Sequence, residues 1–177
     1  MNRTRKIFRA IVIFSIVILG LSFRLRAVNL LPVDYDEPIY LKAGYDYSRY
    51  IREGDWSGII NYENNLEHPP LFKLLYGVAL SPLPDLEQIP QSPDGAPPPS
   101  SLPEPHFRVA RLVSALIGTL EVLVMSIVNP LAGFIVAIYT YKIQYTSQIM
   151  LESLPGFTAF ITVLAFIRWR NQRHQVK

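Results

Sequence analysis

A chain of 177 residues that is half hydrophobic has room for one domain, and its positive mean hydropathy points to a membrane rather than to a water-soluble core. The net charge of +3 sits at the two ends, on Arg3, Arg5, Lys6 and Arg9 and on Arg168, Arg170, Arg173 and Lys177, while twelve of the fourteen carboxylates lie between Leu31 and Phe107. That distribution excludes a nucleic-acid-binding face, and the lack of cysteine excludes disulfides and thiolate metal sites.

Crossing a bilayer as a helix takes roughly 17 to 25 apolar residues, and stretches 7–23, 108–128, 130–146 and 153–169 approach or reach that length. The first comes after basic residues as in a signal peptide, but Ser22-Phe23-Arg24-Leu25-Arg26 offers no small-x-small cleavage site, so residues 1–23 read as a basic cytoplasmic end and a retained anchor. Residues 24–107 then form one long loop. Within it Tyr40, Ala43, Gly44, Tyr47, Tyr50 and Ile51 share one helical face and Lys42, Asp46, Arg49 and Glu53 the other, the pattern of a helix at a membrane interface. A second short helix is expected from Pro70 to about Leu80, since proline suits a first turn. From 81 to 105 the chain is rich in proline, serine and acidic residues without periodicity and reads as irregular.

Residues 108–169 supply three further spans, the first two separated by Asn129-Pro130. The positive-inside rule puts both termini in the cytoplasm, residues 170–177 being a basic tail. That requires an even number of crossings, so Asn129-Pro130 is expected to make a tight hairpin rather than a kink. The expectation is an all-α integral membrane protein of about four spans whose first loop is extracytoplasmic and bears interfacial helices. Ser114, Ala115 and Gly118 form a small-residue face for close packing. Glu121 falls inside a span with no basic partner in its own helical turn, which suggests a place near the cytoplasmic end of its helix.

Two clusters in the loop can carry chemistry. In Asp34-Tyr35-Asp36-Glu37 the carboxylates either cap the following helix or furnish a general base or a ligand for a divalent cation. In Glu67-His68-Pro69-Pro70-Leu71-Phe72-Lys73, His68 and Lys73 are either structural or contacts for a phosphate. Arg108 and Arg111 read as interface anchors or as phosphate ligands.

Taken in order, Asp36-Glu37, His68-Pro69-Pro70-Leu71 with Lys73-Leu74-Leu75, and Arg108 to Gly118 resemble the protein O-mannosyltransferases and related bacterial glycosyltransferases of the GT-C superfamily. The resemblance implies transfer of a sugar from a polyprenyl-phosphate donor to a protein, lipid or glycan acceptor outside the cytoplasm, in the plasma membrane or endoplasmic reticulum. It implies a catalytic role for Asp36 as base with Glu37 beside it, and a place at the site for His68 and Lys73; Arg108 and Arg111 join them as candidate substrate contacts through their charge. Glu152 stands where the family places an acid, more often Asp, before the fourth span. Members of that superfamily have many more spans, so the chain is expected to be a fragment of such an enzyme, one half of a split one, or a non-catalytic scaffold derived from one. A small transporter, the remaining alternative, would carry charges at matched depths in several spans, where the sequence offers Glu121 alone.

Overall fold

The computed structural model describes residues 3–64, 66, 68–86, 103–150 and 153–175. Among them the backbone forms eight helices and no strand: α1 (Arg3–Leu30), α2 (Glu37–Glu53), α3 (Trp56–Ile60), α4 (Pro70–Leu80), α5 (His106–Val128), α6 (Pro130–Ile138), α7 (Thr140–Tyr145) and α8 (Ser153–Gln175). Of these, α1 and α5 are long and apolar enough to cross a membrane. They pack side by side with α6, and α2 and α4 pack on each other at the end of the bundle where α1 finishes and α5 begins, the loop end.

The apolar run 7–23 is only the middle of α1. Hydropathy marks where a helix is greasy, whereas the backbone stays helical until a breaker intervenes, here Pro32 just beyond Leu30. Arg24 and Arg26 therefore lie within the helix, and residues 24–30 are not loop. Ile16, Gly20, Arg24 and Val28, spaced by four, form its buried stripe.

The hairpin after α5 has its cause in Asn129-Pro130. Asn129 is extended and its side chain accepts from Leu131 N at 2.9 Å, while Pro130 fills the first helical position, where its missing N–H costs nothing. Chain direction reverses sharply enough that a Cβ on Gly133 would lie 2.6 Å from Ser126 Cα. The expected third span does not form as one helix, because Tyr139 takes φ −69° and ψ 110° and divides it into α6 and α7. Pairing along α5 slips across this break: Ala137 shares a cluster with Val122, yet Lys142 meets Glu121 and Thr146 lies against Gly118.

In the loop, α4 occupies the expected residues and α2 ends where Gly54 adopts φ 68°, the left-handed conformation that glycine takes without strain. The two helices cross at small residues, since a Cβ on Gly44 would meet Tyr76 Cβ at 2.7 Å and one on Gly77 would meet Tyr47 Cβ at 2.7 Å. Tyr40, Leu41, Phe72, Tyr76 and Leu80 join Ala110, Ile149, Met150 and Leu154 in one core that ties the loop to α5 and to the start of α8. Asp46, expected on the solvent side of α2, is buried because Tyr62 Oη donates to it at 2.9 Å and Lys42 Nζ at 2.8 Å. Of the expected irregular segment 81–105, residues 87–102 lie outside those described. Tyr45 Oη accepts from Leu86 N at 2.9 Å and so fixes its near end to α2.

Large apolar side chains sheathe the outside of the bundle, among them Phe8, Ile11 and Phe14 of α1, Leu116 of α5, Leu131 of α6 and Phe166 of α8. An outward face of that extent marks a surface that meets another apolar phase, and with two helices of membrane-crossing length it suits a bilayer.

Candidate functional site

The loop end is organised by one ion pair. The last carbonyls of α1 have no partner within the helix, and α1 carries no basic residue in its last turn. Arg111, from the second turn of α5, supplies donors to this end and to the residues just past it: Nη1 donates to Val28 O and Leu31 O, both at 2.9 Å, and Nη2 to Pro32 O at 2.8 Å. Its remaining N–H groups hold Glu37, with Nε donating to Oε1 at 2.8 Å and Nη2 to Oε2 at 2.6 Å. Glu37 also accepts from Asp34 N at 2.9 Å and from Ile149 N at 2.7 Å. The cation thus sits at the negative end of α1 and the carboxylate at the positive start of α2. Both side chains are buried, and Phe107 covers the guanidinium at 4.4 Å. Every donor of Arg111 is used and each oxygen of Glu37 accepts two hydrogen bonds, so Glu37 keeps no lone pair for a substrate proton or a metal.

Asp36, one residue earlier, is in a different situation. It occupies the N-cap position of α2 with helical backbone angles, and its carboxylate makes no capping bond to that helix. It is half-buried, one helical turn from Tyr40, whose N–H donates to Asp36 O at 3.1 Å. Tyr40 Oη and His68 Nε2 are hydrogen-bonded at 3.0 Å, with the rings edge to face at 5.0 Å. The fold therefore brings Asp36, Tyr40 and His68 to one side of the start of α2, although residues 37–67 lie between Asp36 and His68 in the chain and no single helix joins them.

The other expected substrate contacts divide. Arg108 is exposed on the first turn of α5 and makes no hydrogen bond or ion pair among the described residues. Arg111 belongs to the Glu37 lock. Lys73 is buried, its Nζ donating to Asn64 O at 3.3 Å and lying 5.4 Å from the centre of the Tyr62 ring. Burial, and then the nearby Asp46 carboxylate, hold the Tyr62 phenol well above its usual range. Lys73 and Asp46 are thus on a network behind α2, away from solvent. Glu152 and Glu67 lie outside the described residues. Among the described residues no three or more His, Cys, Asp or Glu side chains converge as a metal site, and Glu37 has no oxygen lone pair left for the divalent cation considered for the acidic cluster.

Sequence reasoning missed a second polar centre inside the bundle. Glu121 is paired after all, with Lys142 of α7, whose Nζ donates at 2.9 and 3.2 Å. Arg24, fully buried, donates from Nε to Thr146 Oγ1 at 2.9 Å and from Nη1 to Gly20 O at 3.1 Å. The partner for Glu121 comes from across the hairpin, not from its own helix turn, and folding the sequence back at Asn129-Pro130 would have brought Lys142 into range.

Compared with protein-family models, with curated proteins and with solved structures, the chain matches none.

Proposed function

We propose that the chain is part of a membrane glycosyltransferase of GT-C type, with its reaction at the loop end on the extracytoplasmic side, a four-crossing topology and both termini in the cytoplasm. The observation that carries this reading is a placement: Asp36 stands half-buried at the start of α2, one helical turn from Tyr40, which is hydrogen-bonded to His68, while Arg111 holds the neighbouring Glu37 in place. A carboxylate so placed suits general-base work. In the proposed step Asp36 takes the proton of an acceptor hydroxyl, and the freed oxygen pair attacks the sugar's anomeric carbon. The bond from that carbon to the donor phosphate breaks, and the polyprenyl phosphate leaves with its electrons. Since Arg111 has no donor to spare, the cationic support for the leaving phosphate falls to exposed Arg108, with His68 on Tyr40 flanking Asp36. Glu37 acts through Asp36 as a positioning residue.

The burial of Glu37, Lys73 and Arg111 favours a second reading, a non-catalytic scaffold that keeps the helical frame and helps assemble a partner enzyme. Sugar transfer from radiolabelled polyprenyl-phosphate donors, measured in membranes carrying wild-type chain or Asp36→Asn, separates the two. Transfer by the wild type, lost in an Asp36→Asn chain that inserts normally, supports catalysis. Transfer that survives the substitution overturns the base assignment, and a wild type inactive with every donor supports the scaffold or a fragment that needs the rest of its enzyme.

A further inference from the structure

Glu121, Arg24 and Lys142 come from α5, α1 and α7 and meet inside the bundle, about 15 Å along α5 from Arg111 and about 10 Å from its far end at 1.5 Å per residue. Charges in such surroundings are costly to desolvate, and with the Lys142 side chain 32 % exposed the ion pair is weak evidence for stability; its contribution is register. The register fixed here concerns a short, otherwise loosely determined piece of chain. The break at Tyr139 uncouples α7 from α6, and α7 is only six residues long. Lys142 anchors its middle to Glu121, and Thr146 at its end accepts from Arg24. Gly118 makes room for both, since a Cβ there would lie 2.4 Å from Thr146 Cβ and 2.7 Å from Arg24 Nε.

Just beyond Thr146 the chain reaches the candidate site directly. Gln148 Nε2 donates to Pro32 O at 3.1 Å, and Ile149 N donates to Glu37 Oε1 at 2.7 Å. We infer that Glu121, Lys142 and Arg24 form a positioning device that sets the height of residues 146–150 against the turn between α1 and α2, and through Ile149 holds Glu37 and its neighbour Asp36 in place. The inference deepens the reading of Asp36 as the base and rests on it for its functional meaning, but the device itself is a matter of geometry. It assigns Glu121 a role far from the reacting atoms.

The chain has no cysteine, so introduced pairs report without background. Cysteines at Val33, next to the carbonyl that Gln148 reaches, and at Gln148 are bridged with a short thiol-reactive reagent in membranes. A control pair replaces Tyr76 and Ser114, whose hydroxyls are hydrogen-bonded at 2.6 Å between α4 and α5. In the full chain, Lys142→Met and Glu121→Gln are expected to lower bridging between positions 33 and 148 several-fold, Lys142→Arg to retain it, and the control bridge to stay unchanged throughout. Unaltered 33-to-148 bridging in Lys142→Met overturns the proposal, as does an equal fall of both bridges, which would make the layer a general prop of the bundle. Bridging needs no catalysis, so a wild type without transfer activity would count against the chain acting as a transferase on its own while leaving this result standing.

Discussion

Asp36 and Glu37 are adjacent, chemically similar and differently used, and the difference is measurable. Glu37→Gln removes the charge that balances Arg111 and leaves a buried guanidinium uncompensated. Breaking a buried pair from one side costs about 3–5 kcal/mol, so this variant is expected to melt far below the wild type in detergent. Arg111→Lys is expected to behave alike, because an ammonium cannot reproduce the fork that serves Glu37 and three carbonyls at once. Asp36→Asn leaves the Arg111–Glu37 pair intact and is expected to melt well above Glu37→Gln, while losing transfer under the proposed function. A Glu37→Gln chain as stable as the wild type would refute the lock.

At the scale of helices, the small residues decide how closely neighbours approach. Gly118→Ala is expected to cost about 1–3 kcal/mol by overpacking, because the added methyl meets Thr146 and a guanidinium that is itself held in place. Thermal unfolding of Gly118→Ala beside an exposed control such as Leu116→Ala checks this. The same scale shows how far local sequence determines the helices. The start of α4 and the hairpin before α6 were legible because proline and asparagine act locally, through a missing N–H and a side-chain cap. The break at Tyr139 was not legible, since neither glycine nor proline marks it. Nor was α3, a five-residue helix too short for periodicity, though Asp55 caps it through Gly58 N. Of the candidate site, the residue types at Asp36 and His68 were readable, but the fate of Glu37 depended on Arg111, 74 residues away, and no local rule reaches that far.

For the molecule as a whole, two helices of membrane-crossing length leave the rest of the chain to be arranged around them. Together α6 and α7 comprise 15 helical residues, about 23 Å at 1.5 Å per residue, which falls short of a hydrocarbon core about 30 Å thick. A broken segment can still cross if its irregular backbone is shielded by protein, and residues 146–150 are buried against the loop end. At the opposite end Arg9 donates to Ile127 O, which puts the basic start of α1 beside the hairpin and opposite the candidate site. The tail of α8, with Arg168 and Arg170, belongs on that same side under the proposed four crossings. Single cysteines at Thr4, Ser57 and Asn171, all exposed positions, test this in intact cells. A membrane-impermeant maleimide is expected to label Ser57→Cys from outside, and Thr4→Cys and Asn171→Cys only after permeabilisation. Labelling of Asn171→Cys in intact cells would mean an odd number of crossings, and the segment from Pro130 to Met150 would then have to turn back within the bundle instead of traversing the bilayer.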